Sequence, residues 1–238
     1  MKFGDRKVVT FDIETTGLSY NDDFICGVSY DTEEDITWVN ESLESLMKYY
    51  RDKVDNNILL VTFNGENYRG GFDFPWLRTS FALKELDWSF YNFQHLDFYP
   101  LVKKYLYNDL KVVKKPSKSS LSKAKLEKLA EINDIRYKTI DRTYKEIDDM
   151  DNPDWGIFTK EKIDKKRYDE QSLYQTFFDS EGKEEYIDGA DSAKLYNAGR
   201  KDLVIRHCVN DVHRLAKLFD LLVDYLPLWE VDRNLNRL

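Results

Sequence analysis

Hydrophobic and polar positions in the first part of the chain follow strand and helix periods in turn. Apolar side chains from Val8 to Ile13 predict a buried strand, and two more strands are predicted from Phe24 to Tyr30 and from Ile36 to Val39, joined by an acidic turn. Hydrophobic positions from Leu43 to Tyr50 recur at helical spacing, and the continuous apolar run from Ile58 to Phe63 predicts a central strand covered on both faces. This order predicts an α/β fold with a mixed β-sheet flanked by helices.

The pattern is weaker further along the chain. A helix is predicted to open at Phe72, and residues 94–102 predict a short strand followed by a helix start. From about 139 to 190 the pattern degrades into acidic and aromatic stretches, which we interpret as an insertion that contains a β-hairpin. A last long helix is predicted from about Asp191 to Asp224. We therefore expect a single domain over residues 1–238, with an insertion at about 139–190 before the C-terminal helix.

Composition narrows the class of protein. The 238 residues are 42% hydrophobic and 15% aromatic, which is ample for a packed core. No apolar run approaches the length needed to cross a membrane, and the two cysteines offer neither a disulfide framework nor a zinc cluster, so we expect a cytoplasmic protein with no membrane partner. The net charge of -8 argues against a protein that coats nucleic acid non-specifically, but it is compatible with a nuclease whose acidic site lies beside a local basic strip.

Asp12 and Glu14 alternate on the first predicted strand, so both carboxylates point to one face of it. Buried carboxylates a few ångströms apart repel each other and lose hydration, and a divalent metal, a basic partner or a shared proton usually relieves them. Oxygen ligands of this kind suit Mg²⁺ or Mn²⁺. The same spacing recurs at Asp31 and Glu33, but that pair falls in a polar run, which indicates a solvated hairpin turn.

Three further residues carry candidate chemistry. Asp73 falls in the first turn of its predicted helix, where it either caps the helix or brings a third acid to the end of a buried strand. His207 and Asp211 are four residues apart on the last predicted helix and therefore lie on the same side of it. Such pairs are most often surface pairs, but core positions flank this one closely, so we expect it to be half-buried and directed at a partner.

Cations cluster in one region of this acidic chain. Nine lysines fall between Lys103 and Lys128 among few acids, which usually indicates a solvated face. Here the run is also the candidate track for a nucleic-acid backbone, with binding residues Lys114, Lys115 and Lys118. Within the insertion, the segment from Gln171 to Phe178 is similar to the peptide that docks replication proteins on a sliding clamp, and a strand with an aromatic face is the alternative explanation.

Together these residues resemble the DEDD superfamily of 3'-5' exonucleases, the DnaQ-like branch of the ribonuclease H fold. The resemblance rests on three motifs in the family's order, which are Phe11 to Leu18, Asn64-Gly65 with Phe72-Asp73, and His207 to Val212. The second motif, together with the later segments from Leu96 to Tyr99 and from Ser120 to Ala130, is most similar to the proofreading domains of family B DNA polymerases and their free-standing relatives. The resemblance implies a ribonuclease H-like sheet and a free-standing exonuclease, since no polymerase follows.

Two-metal hydrolysis of phosphodiester bonds is the chemistry that this resemblance implies. Asp12, Glu14 and Asp211 would hold one Mg²⁺ or Mn²⁺ ion, with Asp12 bridging to a second ion on which Asp73 acts. Family members place a tyrosine four residues or a histidine five residues before the last aspartate, whereas this chain has His207 four residues before Asp211. His207 would orient or deprotonate the attacking water, or else it only caps or packs.

Substrate contacts are implied by the same resemblance. The residues expected to meet the terminal nucleotide are Thr15, Thr16, Gly17 and Leu18. Leu18 would pack on the base, Phe72 would also line the substrate site, and Asn64 would either position the next phosphate or brace its loop.

Three interpretations of the function remain open. The leading one is degradation of single-stranded or frayed DNA from the 3' end to nucleoside 5'-monophosphates, with replication or repair proteins as candidate partners. The second is the same chemistry on RNA, because discrimination rests on contacts to the 2'-OH that no motif here exposes. The third is an inactive member that only binds nucleic acid or a protein, against which four buried acids argue, since without a metal they would destabilise the fold.

Overall fold

A mixed sheet of six strands organises the part of the chain that this computed structural model describes, residues 1–55, 57–66, 70–88, 93–105 and 189–227. The strands are β1 (Lys2–Phe3), β2 (Arg6–Thr15), β3 (Phe24–Asp31), β4 (Ile36–Asn40), β5 (Ile58–Thr62) and β6 (Gln94–Asp97). Their spatial order is β4-β3-β2-β5-β6, and β1 pairs with β2 off this path. The ten-residue strand β2 therefore lies near the middle of the sheet.

The direction of pairing changes at β2. This strand is antiparallel to β1 and β3, and β3 is antiparallel to β4, which forms the predicted meander. On its other side β2 is parallel to β5, which in turn is parallel to β6. The α/β class with a mixed sheet is thereby confirmed. Parallel strands bring their carboxyl ends to the same edge of the sheet, and this edge is where ligands of α/β proteins usually bind.

Helices cover both faces of the sheet. Their bounds are α1 (Leu43–Lys53), α2 (Asp73–Leu83), α3 (Phe98–Tyr105), α4 (Gly189–Asn197) and α5 (Lys201–Leu222), and a short 3₁₀ turn (Val223–Tyr225) follows α5. Hydrophobic side chains of α1 and α2 pack against one face, whereas those of α3, α4 and α5 pack against the other. A reciprocal pair of hydrogen bonds between Ser42 and Ser45 caps the start of α1.

Alternation along β2 divides its side chains between these two layers. Val9, Phe11 and Ile13 enter the core shared with α1 and α2. The residues between them face α5, where the Thr10 hydroxyl donates a hydrogen bond of 2.6 Å to the carbonyl oxygen of Val212. Asp12 and Glu14 lie on this same side because a strand repeats every second residue. The two acids of the first motif are thus directed toward the C-terminal helix.

The single long helix expected from Asp191 to Asp224 is wrong in one respect, since the chain forms two helices there. The break follows Ala198, where Gly199 adopts φ +75° and its N–H donates to the carbonyl of Tyr196 at 2.9 Å. The N–H of Arg200 donates to the carbonyl of Leu195 at 2.8 Å. These two bonds form the Schellman arrangement that ends many helices, and a glycine adopts the required left-handed conformation without a steric cost.

Several expectations fall outside the described residues. These are the lysine strip beyond Tyr105, the clamp-like segment and almost all of the insertion at about 139–190. The helix α4 already begins at Gly189, so the predicted end of the insertion overlaps its start. Among the described helices, none combines the length and the apolar character that a membrane span requires.

Candidate metal centre

Acidic side chains from three elements converge near the carboxyl end of β2. Asp12 and Glu14 belong to β2, Asp73 is the first residue of α2, and Asp211 lies on α5. Ligand atoms of Glu14, Asp211 and His207 all lie within 4.8 Å of one another. The structure thus brings Glu14 and Asp211 together although 197 positions separate them in the sequence (211 − 14). Pattern reasoning alone placed these residues on their elements but could not give this distance.

His207 lies between two of these carboxylates. Its Nε2 atom is 3.4 Å from Oε1 of Glu14 and 3.3 Å from Oδ2 of Asp211. The sequence predicted a half-buried pair, but the His207 side chain is only 6% exposed, so the prediction is wrong for the histidine. The reason is that nearly all side chains in the middle turns of α5 are buried, including polar ones. The imidazole therefore belongs to the acidic cluster itself.

Two donors that the sequence analysis did not identify hold these carboxylates. The Ser192 hydroxyl, on α4, donates to Oε2 of Glu14 at 2.7 Å. Nη1 of Arg214, on α5, donates to Oδ1 of Asp211 at 2.9 Å. Each acid is thus held through one oxygen while its other oxygen faces His207. The three-residue spacing of Asp211 and Arg214 is a helical contact that the sequence could have revealed, whereas no local signal links Ser192 to Glu14.

The electrostatic environment of Asp12 disfavours its charged form. Burial raises the pKa of Asp12 to about 8, and the negative charge of Asp211 contributes to the rise. Hydrogen bonds from the Ile13 backbone and the Cys208 thiol act in the opposite direction, the thiol lying 3.7 Å from Oδ2. A nearby cation would reverse the balance, because it favours the ionised carboxylate.

Asp73 is in a similar position. Burial raises its pKa well above the usual value, with further contributions from the charges of Asp12, Asp97 and Glu14. The residue is 4% exposed, and among the described residues its Oδ2 atom accepts no hydrogen bond. A capping role is therefore not what this oxygen performs. By contrast, Oδ1 of Asp97 accepts the N–H of Tyr99 at 3.1 Å, in the first turn of α3.

The donor set fits a divalent cation. Burial and the charges of neighbouring carboxylates raise the pKa values of Asp12 and Asp73, and the buried Oδ2 of Asp73 accepts no hydrogen bond from the described residues, so a nearby cation would stabilise the ionised form of these two acids. Carboxylate oxygens suit Mg²⁺ and Mn²⁺. The buried carboxylate of Asp31 is stabilised in a different way, by a lysine, because Nζ of Lys7 lies 2.5 Å from its Oδ2. Residues 32–35 form the predicted turn, but Asp31 ends β3 and is buried, so it is not solvated as expected.

The segment expected to meet the terminal nucleotide is a hydrogen-bonded loop at the end of β2. The Thr15 hydroxyl donates to the Gly17 carbonyl at 2.5 Å, and the Thr16 N–H donates to the Asp23 carbonyl at 2.9 Å. A Cβ at Gly17 would collide with the Asp22 carboxylate, which accepts the Ser19 N–H at 2.6 Å. Leu18 protrudes from this loop with 86% of its surface exposed. The loop therefore presents an apolar side chain to solvent close to the acids.

The second motif lies in the loop that joins β5 to α2. Asn64 adopts φ +70°, its N–H donates to Oδ1 of Asp97 at 2.8 Å, and its carbonyl accepts the N–H of Phe72 at 2.8 Å. The backbone of Asn64 thus braces the loop, while the residue itself is exposed and Phe72 is half-buried. His95 lies in the core, 2.7 Å from the Thr62 hydroxyl. The remaining substrate candidates lie outside the described residues and are Lys114, Lys115 and Lys118.

Comparison with known families adds one finding. A family model described as RNase_H superfamily matches residues 9–143, which is more than half of the 238-residue chain. The match contains Asp12, Glu14 and Asp73 and ends before α4 and α5. No curated protein matches the chain.

Proposed function

The chain belongs to the RNase H superfamily, and on that premise we propose that it is a metal-dependent 3'-5' exonuclease that releases nucleoside 5'-monophosphates from single-stranded or frayed DNA. The superfamily acts on nucleic acids and its nucleases use divalent metals, so the reaction class follows from membership. The direction of attack, the substrate and the assignment to the DEDD branch are the proposal's own content.

One observation carries the proposal, namely the convergence of carboxylates from β2, α2 and α5 at the carboxyl edge of the sheet. Asp12, Glu14, Asp73 and Asp211 would hold two divalent cations, Mg²⁺ or Mn²⁺. Such ions, when bound, activate water at neutral pH and stabilise the charge on the attacking and leaving oxygens of an in-line displacement. The matched family model stops short of Asp211, so the fourth acid is assigned from its position beside Glu14 and not from the family match.

The protein groups around the acids keep them in position. Ser192 and Arg214 each bind one oxygen of a carboxylate, which fixes the orientation of the other oxygen. Thr10 ties α5 to β2 at the level of Asp12, which sets the distance between the acids of the two elements. Placement of this accuracy is what phosphoryl chemistry requires of a protein, because catalysis rests on positioning and on stabilised charge.

Attack at a chain end is supported by the loop beyond β2. Leu18 is almost fully exposed on a backbone whose turns are fixed by Thr15, Thr16 and Asp22. An exposed apolar side chain beside the reactive centre can pack against an unpaired terminal base, and such packing tolerates any sequence because every base has a π-face. The exposed Asn64 and half-buried Phe72 border the site from the second motif. The lysines expected to follow the backbone contribute affinity and not chemistry.

The experiment uses purified full-length chain and oligonucleotides of DNA and RNA labelled at the 5' end. We expect stepwise shortening of single-stranded DNA from the 3' end in Mg²⁺ or Mn²⁺, release of nucleoside 5'-monophosphates, and no reaction in chelator. Asp12→Ala and Asp211→Ala should abolish hydrolysis because each removes a metal ligand, whereas Asp220→Ala, at an exposed site on the same helix, should not.

Each outcome assigns the function differently. Internal cuts would assign an endonuclease in place of an exonuclease. Preferential shortening of RNA would assign RNA as the substrate in place of DNA. Wild-type rates from the Asp12→Ala or Asp211→Ala protein would end the two-metal assignment. Binding of oligonucleotides without any hydrolysis, in either metal, would establish an inactive member.

A further inference from the structure

We propose that His207 is itself a metal ligand, which together with Glu14 and Asp211 forms a site of two carboxylates and one imidazole that prefers Mn²⁺, Co²⁺ or Zn²⁺ to Mg²⁺. The inference rests on the proposed function, since it concerns the same centre. It departs from the expectation that His207 orients or deprotonates water.

The two distances from Nε2 of His207 to the carboxylates of the cluster are longer than those of good hydrogen bonds. Nε2 lies 3.4 Å from Oε1 of Glu14 and 3.3 Å from Oδ2 of Asp211. Good N–H···O bonds are about 2.9–3.0 Å long, and one ring nitrogen carries at most one hydrogen. Nε2 therefore cannot serve both carboxylates well as a donor. Its nearly equal separation from the two oxygens is better explained by a shared partner.

The same distances match the edges of a metal's coordination polyhedron. Nitrogen and oxygen ligands lie about 2.0–2.2 Å from a small divalent ion, so neighbouring ligands in octahedral or tetrahedral sites are about 2.8–3.6 Å apart. Both measured separations fall in that interval. The ligand atoms of all three residues lie within 4.8 Å of one another. Small side-chain rotations would bring all three residues within reach of one ion.

Neighbouring side chains hold the two carboxylates in this arrangement. Ser192 and Arg214 bind the outer oxygens, Oε2 of Glu14 and Oδ1 of Asp211, so that the inner oxygens stay directed toward Nε2. Hydrogen bonds to the outer atoms of ligating groups are the usual second layer of metal sites. Independently, the buried Oδ2 of Asp73 accepts no hydrogen bond among the described residues. A cation in this cluster would give that oxygen a partner.

The imidazole determines which cation is favoured. Mg²⁺ prefers oxygen ligands and near-ideal octahedral geometry, whereas imidazole nitrogen suits the later first-row ions, which bind mixed nitrogen and oxygen sites more strongly. A nitrogen whose lone pair binds an ion cannot accept a proton from water. The assignment therefore gives His207 a role in metal choice in place of the role of base.

Pulsed electron paramagnetic resonance of the full chain loaded with one equivalent of Mn²⁺ tests this directly, because a coordinated imidazole modulates the echo decay through its nitrogen nucleus. We expect nitrogen modulation in the wild type and in His213→Gln, a matched control on the same helix whose Nε2 lies 2.7 Å from the Thr37 hydroxyl. His207→Gln should lose the modulation. Titration should show Mn²⁺ affinity about tenfold or more weaker in His207→Gln, with less than about threefold change for Mg²⁺.

The wild-type spectrum alone can overturn the ligand role, so that outcome does not depend on the folding of any variant. Bound Mn²⁺ without nitrogen modulation would overturn the ligand role, as would modulation that persists in His207→Gln. Metal-dependent shortening of DNA by a protein that lacks the modulation would support the exonuclease function and reject the ligand role of His207. Nitrogen modulation in a protein that hydrolyses no nucleic acid would keep the ligand and remove the exonuclease.

Discussion

In the metal-free protein, replacing Asp12 by asparagine should remove a loss of stability that the wild type suffers as the pH rises. This is expected although the change removes a proposed metal ligand. Burial, with the charge of Asp211 as the second cause, raises the pKa of Asp12 from 3.8 to about 8. The folded protein keeps this proton up to about pH 8, whereas the unfolded chain releases it near pH 4. Between these values the folded state binds more protons, so its stability falls as the pH rises.

The size of the effect follows from the same shift. Within this window the contribution of Asp12 falls by up to about 1.4 kcal/mol per pH unit, or about 3 kcal/mol between about pH 5 and about pH 7.5. For a chain of this size each kcal/mol moves the melting temperature by about 2–4 °C, so the wild type should lose about 6–12 °C over that interval through this group. Asparagine has no proton to lose, and its variant should lack this part of the slope.

Thermal unfolding followed by circular dichroism in chelator, at several pH values, provides the measurement. Asp220→Asn is the control, because Asp220 is exposed on the same helix as Asp211 and its variant should follow the wild-type slope. Added Mn²⁺ should raise the melting temperature of the wild type near pH 7.5 and raise that of Asp12→Asn less. Parallel slopes for the wild type and Asp12→Asn in chelator would refute the reasoning, since the burial of Asp12 would then carry no cost.

Two further predictions concern groups around the acids. Ser192→Ala should weaken Mn²⁺ binding by about tenfold, because the outer oxygen of Glu14 loses its donor. The matched control is Ser80→Ala on α2, which removes a buried hydroxyl that has no hydrogen-bond partner among the described residues and should leave Mn²⁺ binding unchanged. Calorimetric titration measures both, and equal affinities in the two variants would show that Ser192 does not orient Glu14. Leu18→Ala should raise the Michaelis constant for single-stranded DNA several-fold with little change in maximal rate, because it removes the proposed packing surface for the terminal base. Tyr225→Ala, which truncates another exposed side chain after α5, is the control, and a matched rise in both proteins would place the base elsewhere.

Local periodicity was sufficient for most of the fold in the part of the chain that the structure describes. The period of two along β2 identified the strand and also the shared face of Asp12 and Glu14, since both follow from the same alternation. The continuous apolar run at β5 identified a strand covered on both faces, because neither face could be polar. These are properties that neighbouring residues determine among themselves.

The errors arose where a distant contact or a single backbone conformation decided the outcome. The apolar spacing of α4 continues into α5, so periodicity predicted one helix, although Gly199 carried a signal for the break. Burial of His207 depends on how closely α5 approaches the sheet, which no segment of the sequence specifies alone. Ser192 meets Glu14 across 178 positions, and only the packed structure reveals the contact.

The hydrogen bond between Thr10 and Val212 has a consequence for the accuracy of the centre. A helix packed on a sheet can shift along its axis, and a shift of one residue moves it by about 1.5 Å, enough to separate groups that must act together. The bond joins a residue two positions before Asp12 to the residue directly after Asp211, at a buried point that neither solvent nor substrate reaches. Axial alignment of strand and helix is therefore set independently of the surface loops. Substitutions in those loops can change what the protein binds while the spacing of its acids stays the same.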